Sequence, residues 1–173
     1  MKRGTVIIGL LAQLAIAPLA HATDSDTQRI TVGVPVYVVH FKDRKGSLDW
    51  NEGFANNPGA FVDYSRRVWT VSDDWDFRFG AMAGVMENSK SKTSVFGGGM
   101  VEFEHAVSST VSLQSGAYFG ATSGYGDRLK PVLAPYVGAS VGIAKKTEVS
   151  ARFFLLPASA PALVSTVGLA YRF

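Results

Sequence analysis

Cysteine is absent from the 173 residues of this chain. Disulfide bonds and thiolate chemistry are therefore excluded, both for stabilising the fold and for catalysis. Histidine is also scarce, because beyond residue 22 only His40 and His105 remain, and they are far apart in the sequence. Two isolated histidines without cysteine form no cluster of metal ligands. We therefore expect neither a metal site nor a cofactor.

Long apolar runs are confined to the first residues. Lys2 and Arg3 precede an apolar stretch over 6–19, and Ala20-His21-Ala22 has the small-x-small pattern of a cleavage site. This order is typical of a secretory leader, so we expect residues 1–22 to be a signal peptide and residues 23–173 to form one domain. That domain has no stretch of about 20 apolar residues that could cross a membrane as a helix.

The expected domain also lacks a large net charge. Loss of Lys2 and Arg3 leaves 15 of the 17 basic residues, against 14 acidic ones. A balance this close to neutral gives no case for a nucleic-acid partner.

What the chain does contain is a repeated alternation of apolar with small or polar residues. Eight such segments are separated by turn signals, at 30–41, 58–70, 75–88, 94–104, 109–122, 131–143, 147–157 and 162–173. In the last one, Val167, Leu169, Tyr171 and Phe173 share one face. Bacterial outer-membrane barrels have even numbers of strands from about eight upward, with aromatic girdles at both interfaces. The sequence therefore predicts an all-β fold, an eight-stranded antiparallel transmembrane β-barrel with up-and-down topology. A soluble sandwich is the less favoured interpretation.

The connections between these segments alternate in length. Those at 72–74, 105–108 and 144–146 are short, whereas those at 42–57, 89–93, 123–130 and 158–161 are mostly longer. Short periplasmic turns and longer outward loops are the outer-membrane pattern. We therefore expect a monomer in the bacterial outer membrane.

The third segment suggests what the barrel contains. If Arg78 points inward, then Gly80, Met82, Gly84 and Met86 share its face. Such an inner wall is apolar, and its glycines leave part of it without bulky side chains. It favours a cavity for a hydrocarbon chain over a simple plug of salt bridges, with Met82 and Met86 as candidate substrate-binding residues.

Proline positions are also informative. None lies in segments three to five; after residue 22 they are Pro35, Pro58, Pro131, Pro135, Pro157 and Pro161. Proline lacks the N–H that a strand ladder needs. Prolines on two sides of a closed barrel predict local unzipping there, although ordinary strand termination explains about half of them.

Several short motifs occur in the order and spacing of one known family. They are His40-Phe41-Lys42-Asp43, Asn51-Glu52, Pro58-Gly59-Ala60-Phe61, Glu87-Asn88-Ser89, Pro131-Val132-Leu133-Ala134-Pro135 and Tyr171-Arg172-Phe173. With these motifs the chain resembles the lipid A palmitoyltransferase family of the Gram-negative outer membrane. The resemblance implies an eight-stranded barrel that moves a palmitoyl chain from a phospholipid donor to lipid A. It also implies lateral gates between barrel strands one and two and between six and seven, here at Pro35, Pro58, Pro135 and Pro157.

The resemblance assigns catalysis to His40, Asn88 and Ser89. His40 and Ser89 are expected at the same outer rim, where acyl transfer needs a base beside a hydroxyl. Asn88 replaces the family's acid and can orient a partner but not take a proton, which leaves His40 as the general base. Ser91 and Ser94 are competing hydroxyls, and without the resemblance His40 reads as an interfacial strand-end residue. The family's amphipathic first helix has no counterpart, since Thr23–Gln28 is too short.

The same resemblance suggests residues that bind the substrates. Counted from Ser89, Met100 corresponds to a family glycine at the floor of the acyl pocket, which predicts a chain somewhat shorter than palmitate. If the glycine run shifts the register, Gly98 is the floor and palmitate is favoured. Arg128 and Lys130, among other loop cations, are candidates for lipid A phosphates, with plain solvation as the alternative.

Two other functions remain open. One is a non-enzymatic small barrel that acts as an adhesin or as an exclusion or stability factor. A lipid A deacylase is less favoured, because such barrels carry a His-x-Ser pair on one strand and this chain does not. An apolar cavity beneath the rim would favour the enzyme, and an interior filled with salt bridges the non-enzymatic barrel.

Overall fold

A computed structural model describes residues 27–41, 48–49, 58–87, 92–124, 128–156 and 161–173. Within these ranges the secondary structure consists of strands and connecting turns. No helix in the described part is both long and apolar enough to span a membrane.

Eight long strands form the wall of a closed barrel. Each pairs antiparallel with its neighbour in sequence, and the last pairs with the first. The strands are β1 Gln28–Phe41, β2 Leu48–Asp49, β3 Gly59–Ser72, β4 Trp75–Glu87, β5 Thr93–Ala106, β6 Val111–Thr122, β7 Lys130–Ala144, β8 Thr147–Leu156 and β9 Ala162–Arg172. The two-residue β2 only extends the end of β1, where Asp49 pairs with His40. The predicted eight-stranded up-and-down barrel is therefore confirmed.

The two ends of the barrel differ. Short connections after β3, β5 and β7 lie at one end, which we call the turn end. Backbone hydrogen bonds between Gln28 and Phe173 place both ends of the described chain there. The connections at the opposite end, the loop end, run from β1 to β3 and after β4, β6 and β8. In outer-membrane barrels the short turns face the periplasm, so the loop end is expected to face outward.

One predicted strand boundary is wrong, and the error changes the placement of His105. His105 was expected in a turn, but β5 continues to Ala106. The reason is pairing with the neighbouring hairpin, because Trp75 lies opposite His105 and their rings stack with centroids 4.5 Å apart. Aromatic side chains at this end, including the exposed Trp69, suit a membrane interface.

Alternation along each strand separates a lipid-facing surface from the interior. On β7, for example, Leu133 and Val137 are more than half exposed, whereas Ala134 and Tyr136 are buried. A soluble protein would not leave such large apolar residues exposed all round, but hydrocarbon solvates them well.

The interior itself has two halves. On β5 the inward side chains in the loop half are small or apolar and include Phe96 and Met100. The next inward residues toward the turn end are Glu102 and Glu104, both buried. An apolar half thus lies above a charged half, and Met100 marks the boundary.

Candidate functional site

The loop half of the barrel contains a cavity of about 120 Å³. Its walls are almost wholly apolar and include Phe61, Met82, Phe96, Ala134 and Phe154. A single water molecule needs only about 10–15 Å³ and two or more polar partners. This space is several times larger and offers few such partners, so it suits a hydrocarbon group better than water.

The predicted substrate residues on the third barrel strand line this cavity. Arg78, Gly80 and Met82 are buried on the inner face of β4, as the parity predicted, and Gly84 and Met86 are partly buried. Met82 and Met86 both contribute to the cavity wall. Methionine is flexible and polarizable, which suits it to contact with alkyl chains of variable shape.

Met100 and Gly98 lie lower on β5. Met100 is fully buried and packs within the cluster of apolar residues that surrounds the cavity. Gly98 has no space for a side chain, because a Cβ there would lie 2.2 Å from the backbone oxygen of Phe119 on the next strand. Met100, rather than Gly98, therefore presents a side chain to the base of the apolar half.

A network of buried ion pairs lies beneath Met100. Nη2 of Arg29 lies 2.5 Å from Oε1 of Glu102, and Nη1 lies 3.3 Å from Oε2 of Glu104. Nη1 of Arg152 lies 2.6 Å from Oδ2 of Asp63. The hydroxyl of Tyr136 donates to Glu102 over 2.7 Å. These groups span the barrel and form a charged floor under the apolar cavity.

The network continues toward the turn end. Arg172 forms ion pairs with both Glu104 and Glu148. Ser112 and Ser140 bridge the same carboxylates by hydrogen bonds of 3.0 and 3.1 Å. The lumen is thus closed by side chains and does not form an open channel through the described part.

Sequence reasoning placed only one member of this network in the interior, Arg78, whose Nη1 lies 3.6 Å from Oε2 of Glu104. The signal was present in Glu102-Phe103-Glu104, where an outward phenylalanine places both carboxylates inside. Arg172 likewise alternates with the outward Tyr171. The sequence did not show which residue each charged side chain pairs with.

The wall of the cavity coincides with two interruptions in strand pairing. Pairing of β1 with β3 ends at Gly33 and Phe61, although β1 continues to Phe41. Pairing of β7 with β8 ends at Tyr136 and Phe154, although β7 begins at Lys130. Both interruptions lie in the loop half, between described residues.

Prolines occur at both interruptions. Pro35 lines the cavity and adjoins a bulge in the pairing of β1 with β9. Pro135 lies in the part of β7 that pairs only with β6. A missing N–H prevents these residues from donating to a ladder. Pro58 precedes β3, where its carbonyl accepts a hydrogen bond from the Glu87 N–H, and Pro157 lies outside the described residues.

The predicted catalytic residues are only partly described. The backbone of His40 lies at the loop end of β1, paired with Ala162. Asn88 and Ser89, like the competing Ser91, lie outside the described residues. Ser94, the other competing hydroxyl, is buried in the cavity wall.

The two predicted loop cations are at the loop end. Arg128 and Lys130 are both exposed, and Lys130 is the first residue of β7. Their position allows contact with lipid headgroups or with solvent alone. No group of histidine and acidic side chains in the described part could hold a metal ion.

Comparison with known proteins identifies the fold only. No protein-family model matches the chain, and no curated protein sequence matches it. The solved structures it resembles include Ail, the attachment invasion locus protein of Yersinia pestis, with 18% identity, a TM-score of 0.52 and coverage of 84% of this chain and 97% of Ail. Neisserial surface protein A (NspA) has 11% identity, a TM-score of 0.61 and coverage of 87% and 99%. A de novo designed transmembrane barrel has 15% identity, a TM-score of 0.51 and coverage of 88% and 100%.

Identities this low carry no information on activity. They give no specific support to the palmitoyltransferase resemblance, which rests on the sequence motifs. Closure by eight antiparallel strands, an apolar outer face and these structural neighbours agree with one another and with the predicted localisation. The chain therefore has the fold of a small outer-membrane β-barrel.

Proposed function

We propose that this protein is a lipid A acyltransferase that holds the acyl chain of a phospholipid in the loop-half cavity. The observation that carries this proposal is the apolar cavity above a charged floor. A barrel with only a structural role gains nothing from such a space, because unfilled volume costs packing energy. A hydrocarbon chain would fill it and would stop at the floor.

The pairing interruptions support the same proposal. An acyl chain in the outer leaflet can reach the barrel interior only through the wall or from the loop rim. Among the described residues, no pairing joins β1 to β3 on the loop side of Gly33 and Phe61, or β7 to β8 on the loop side of Tyr136 and Phe154. These are the two places where the resemblance expects lateral gates.

The proposed reaction is a transesterification, in which an acyl group moves from a phospholipid to lipid A. His40 would take the proton of a lipid A hydroxyl as that oxygen attacks the phospholipid carbonyl. The ester bond to the phospholipid breaks, a new ester forms on lipid A, and the lysophospholipid leaves with the proton. Ser89 and Asn88 would stabilise or orient the reacting groups at the same rim.

A second candidate is a non-enzymatic surface barrel. The likeness to Ail and NspA, which concerns the fold alone, is compatible with this candidate. The buried ion-pair network of the turn half also suits a barrel built for stability. The two candidates differ in the fate of lipid A, which can be measured.

Mass spectrometry of lipid A from cells with and without this protein tests the proposal. We expect an added acyl chain with the intact protein, and no addition with His40→Ala or Ser89→Ala. The matched control is His105→Ala, because His105 lies at the opposite end of the barrel. Heat-resistant migration of each variant would confirm that the barrel still folds. Unchanged lipid A in cells that make the folded intact protein would support the non-enzymatic barrel, and loss of a chain would indicate a deacylase.

A further prediction concerns chain length. Met100→Gly is expected to shift the transferred chain toward greater length, because it removes a fully buried side chain that packs in one cluster with residues of the cavity wall. Truncating a buried methionine typically costs about 2–5 kcal/mol of stability, so folding must be checked first, with Met100→Ala as the milder variant. The measurement is the chain-length profile of the product from a mixed phospholipid donor. Identical profiles centred on sixteen carbons, the length of palmitate in the resembled family, would show that Met100 does not set the length.

A further inference from the structure

Tyr118 on β6 contributes to the wall of the cavity and carries a buried hydroxyl beside it. Its side chain is 4% exposed and contributes to the lining. No protein group in the described part of the chain is hydrogen-bonded to its hydroxyl. A buried hydroxyl without a partner is costly, so an exception of this kind calls for a reason.

The other buried tyrosines in the described residues do have partners. The hydroxyl of Tyr64 donates to Gln28 over 2.6 Å, and that of Tyr136 donates to Glu102 over 2.7 Å. Both lie beside the polar network of the turn half. Tyr118 differs because its surroundings are apolar, with the ring of Phe96 edge-on at 6.3 Å between centroids.

The direction of the Tyr118 side chain is fixed by a glycine. A Cβ on Gly120 would lie 2.5 Å from the Tyr118 hydroxyl, so the ring runs along its own strand toward the loop end and covers Gly120. The hydroxyl therefore lies about two strand residues, or roughly 7 Å, below Thr122, the last residue of β6. This position is within the barrel wall and not at the rim.

Other hydroxyls of the cavity wall are engaged elsewhere. Thr122 donates to the carbonyl of Ser123 over 3.3 Å, and Thr166 donates to the carbonyl of Arg152 over 3.4 Å. Ser94 also has an interaction partner. The Tyr118 hydroxyl, by contrast, has no hydrogen-bond partner among the described residues, either as donor or as acceptor.

We infer that Tyr118 is a specificity-determining residue that hydrogen-bonds an oxygen carried on the hydrocarbon part of the bound chain. The occupant of the cavity is then a hydroxylated acyl chain. An unsubstituted chain has oxygen only at its carboxyl or ester end, and the reaction at the rim would keep that end above the depth of Tyr118. This inference rests on the proposed function, since it takes the cavity to be the acyl site, but it concerns binding and can be tested without turnover.

The test compares hexadecanoic acid with a series of its monohydroxylated isomers, each competing with a fluorescent fatty acid for the folded protein in detergent micelles. The variant is Tyr118→Phe, which removes the hydroxyl and keeps the ring. We expect one isomer or a few adjacent ones to bind the intact protein on the order of tenfold more tightly than hexadecanoic acid. The variant should lose that preference and bind hexadecanoic acid at least as well. Tyr171→Phe is the control, because Tyr171 is exposed on the outer face.

The outcomes separate this inference from the proposed function. Binding of hexadecanoic acid without preference for any isomer, or a preference retained by Tyr118→Phe, overturns the inference and leaves the acyl site in place. Failure of every acid to bind overturns both. A tyrosine-dependent preference in a protein that never modifies lipid A supports the inference and contradicts the transferase. If Tyr118→Phe loses resistance to urea and changes no preference, the hydroxyl has a structural role and the inference is wrong.

Discussion

Glu102→Ala is expected to lower the free energy of unfolding by about 3–5 kcal/mol, because it removes a counter-ion shared by two fully buried arginines. Glu102 is fully buried, contacts Arg29 at 2.5 Å and Arg152 at 3.7 Å, and accepts a hydrogen bond from Tyr136. None of these groups can turn to bulk water inside the closed wall. The measurement is a urea titration of the barrel folded in lipid vesicles.

Asp76→Ala is the matched control for that experiment. Asp76 also pairs with an arginine, Arg67, over 3.4 Å, but both side chains are partly exposed near the turn end. Exposed pairs contribute at most about 1 kcal/mol. A loss at Glu102 no larger than the loss at Asp76 would show that the interior is well hydrated and that the floor of the cavity is not a dry ion-pair network.

A pair of substitutions separates the net contribution of an ion pair to stability from the destabilisation caused by removing only one partner. Asp63→Ala alone leaves the buried Arg152 without its 2.6 Å partner, and Arg152→Met alone leaves the carboxylate. The double variant removes both charges and should be more stable than the sum of the single losses predicts. Additive losses would mean that the two side chains act independently.

The barrel could be predicted from the sequence because side chains along a β-strand point alternately to its two faces, with a period of two residues. Each strand is buried on one side and lipid-facing on the other, so parity alone assigned Arg78, Met82 and Met86 to the interior. The same parity applied to Glu102 and Glu104 would have revealed the charged half of β5. These are local properties of a strand and require no knowledge of its neighbours.

Contacts across the lumen could not be predicted in this way. Arg29 and Glu102 meet although they are 73 residues apart, because barrel closure and strand stagger bring them to the same level. The end of β5 at Ala106 depends similarly on pairing with β4, which is why His105 was misplaced. The role of His40, Asn88 and Ser89 stays a prediction, since Asn88 and Ser89 lie outside the described residues.

Closing the interruption between β7 and β8 is expected to stop the proposed acyl transfer reversibly. Continuing the observed register from Tyr136 and Phe154 would bring Pro135 opposite Leu155, and both side chains are on the outer face. A disulfide in Pro135→Cys/Leu155→Cys would hold the two strands together without filling the cavity. Because the natural chain has no cysteine, these would be its only thiols.

The control cross-link is Val141→Cys/Val149→Cys on the same two strands. Val141 and Val149 are outward-facing partners in the turn half, within the stretch of regular pairing that runs from Tyr136 to Gly142. That disulfide should leave transfer unchanged. Val34→Cys/Ala60→Cys tests the other interruption in the same manner, since it would continue the β1–β3 register beyond Gly33 and Phe61.

The expected result is loss of lipid A modification in the oxidised Pro135→Cys/Leu155→Cys protein and recovery after reduction. The two substitutions persist after reduction, so recovery assigns the loss to the cross-link itself, and comparison with the control cross-link assigns it to this part of the wall. Full transfer by protein shown to be cross-linked would exclude passage between β7 and β8. If only one of the two cross-links stops lipid A modification, that interruption is the path of one lipid. If each cross-link alone stops it, donor and acceptor approach from different sides of the barrel.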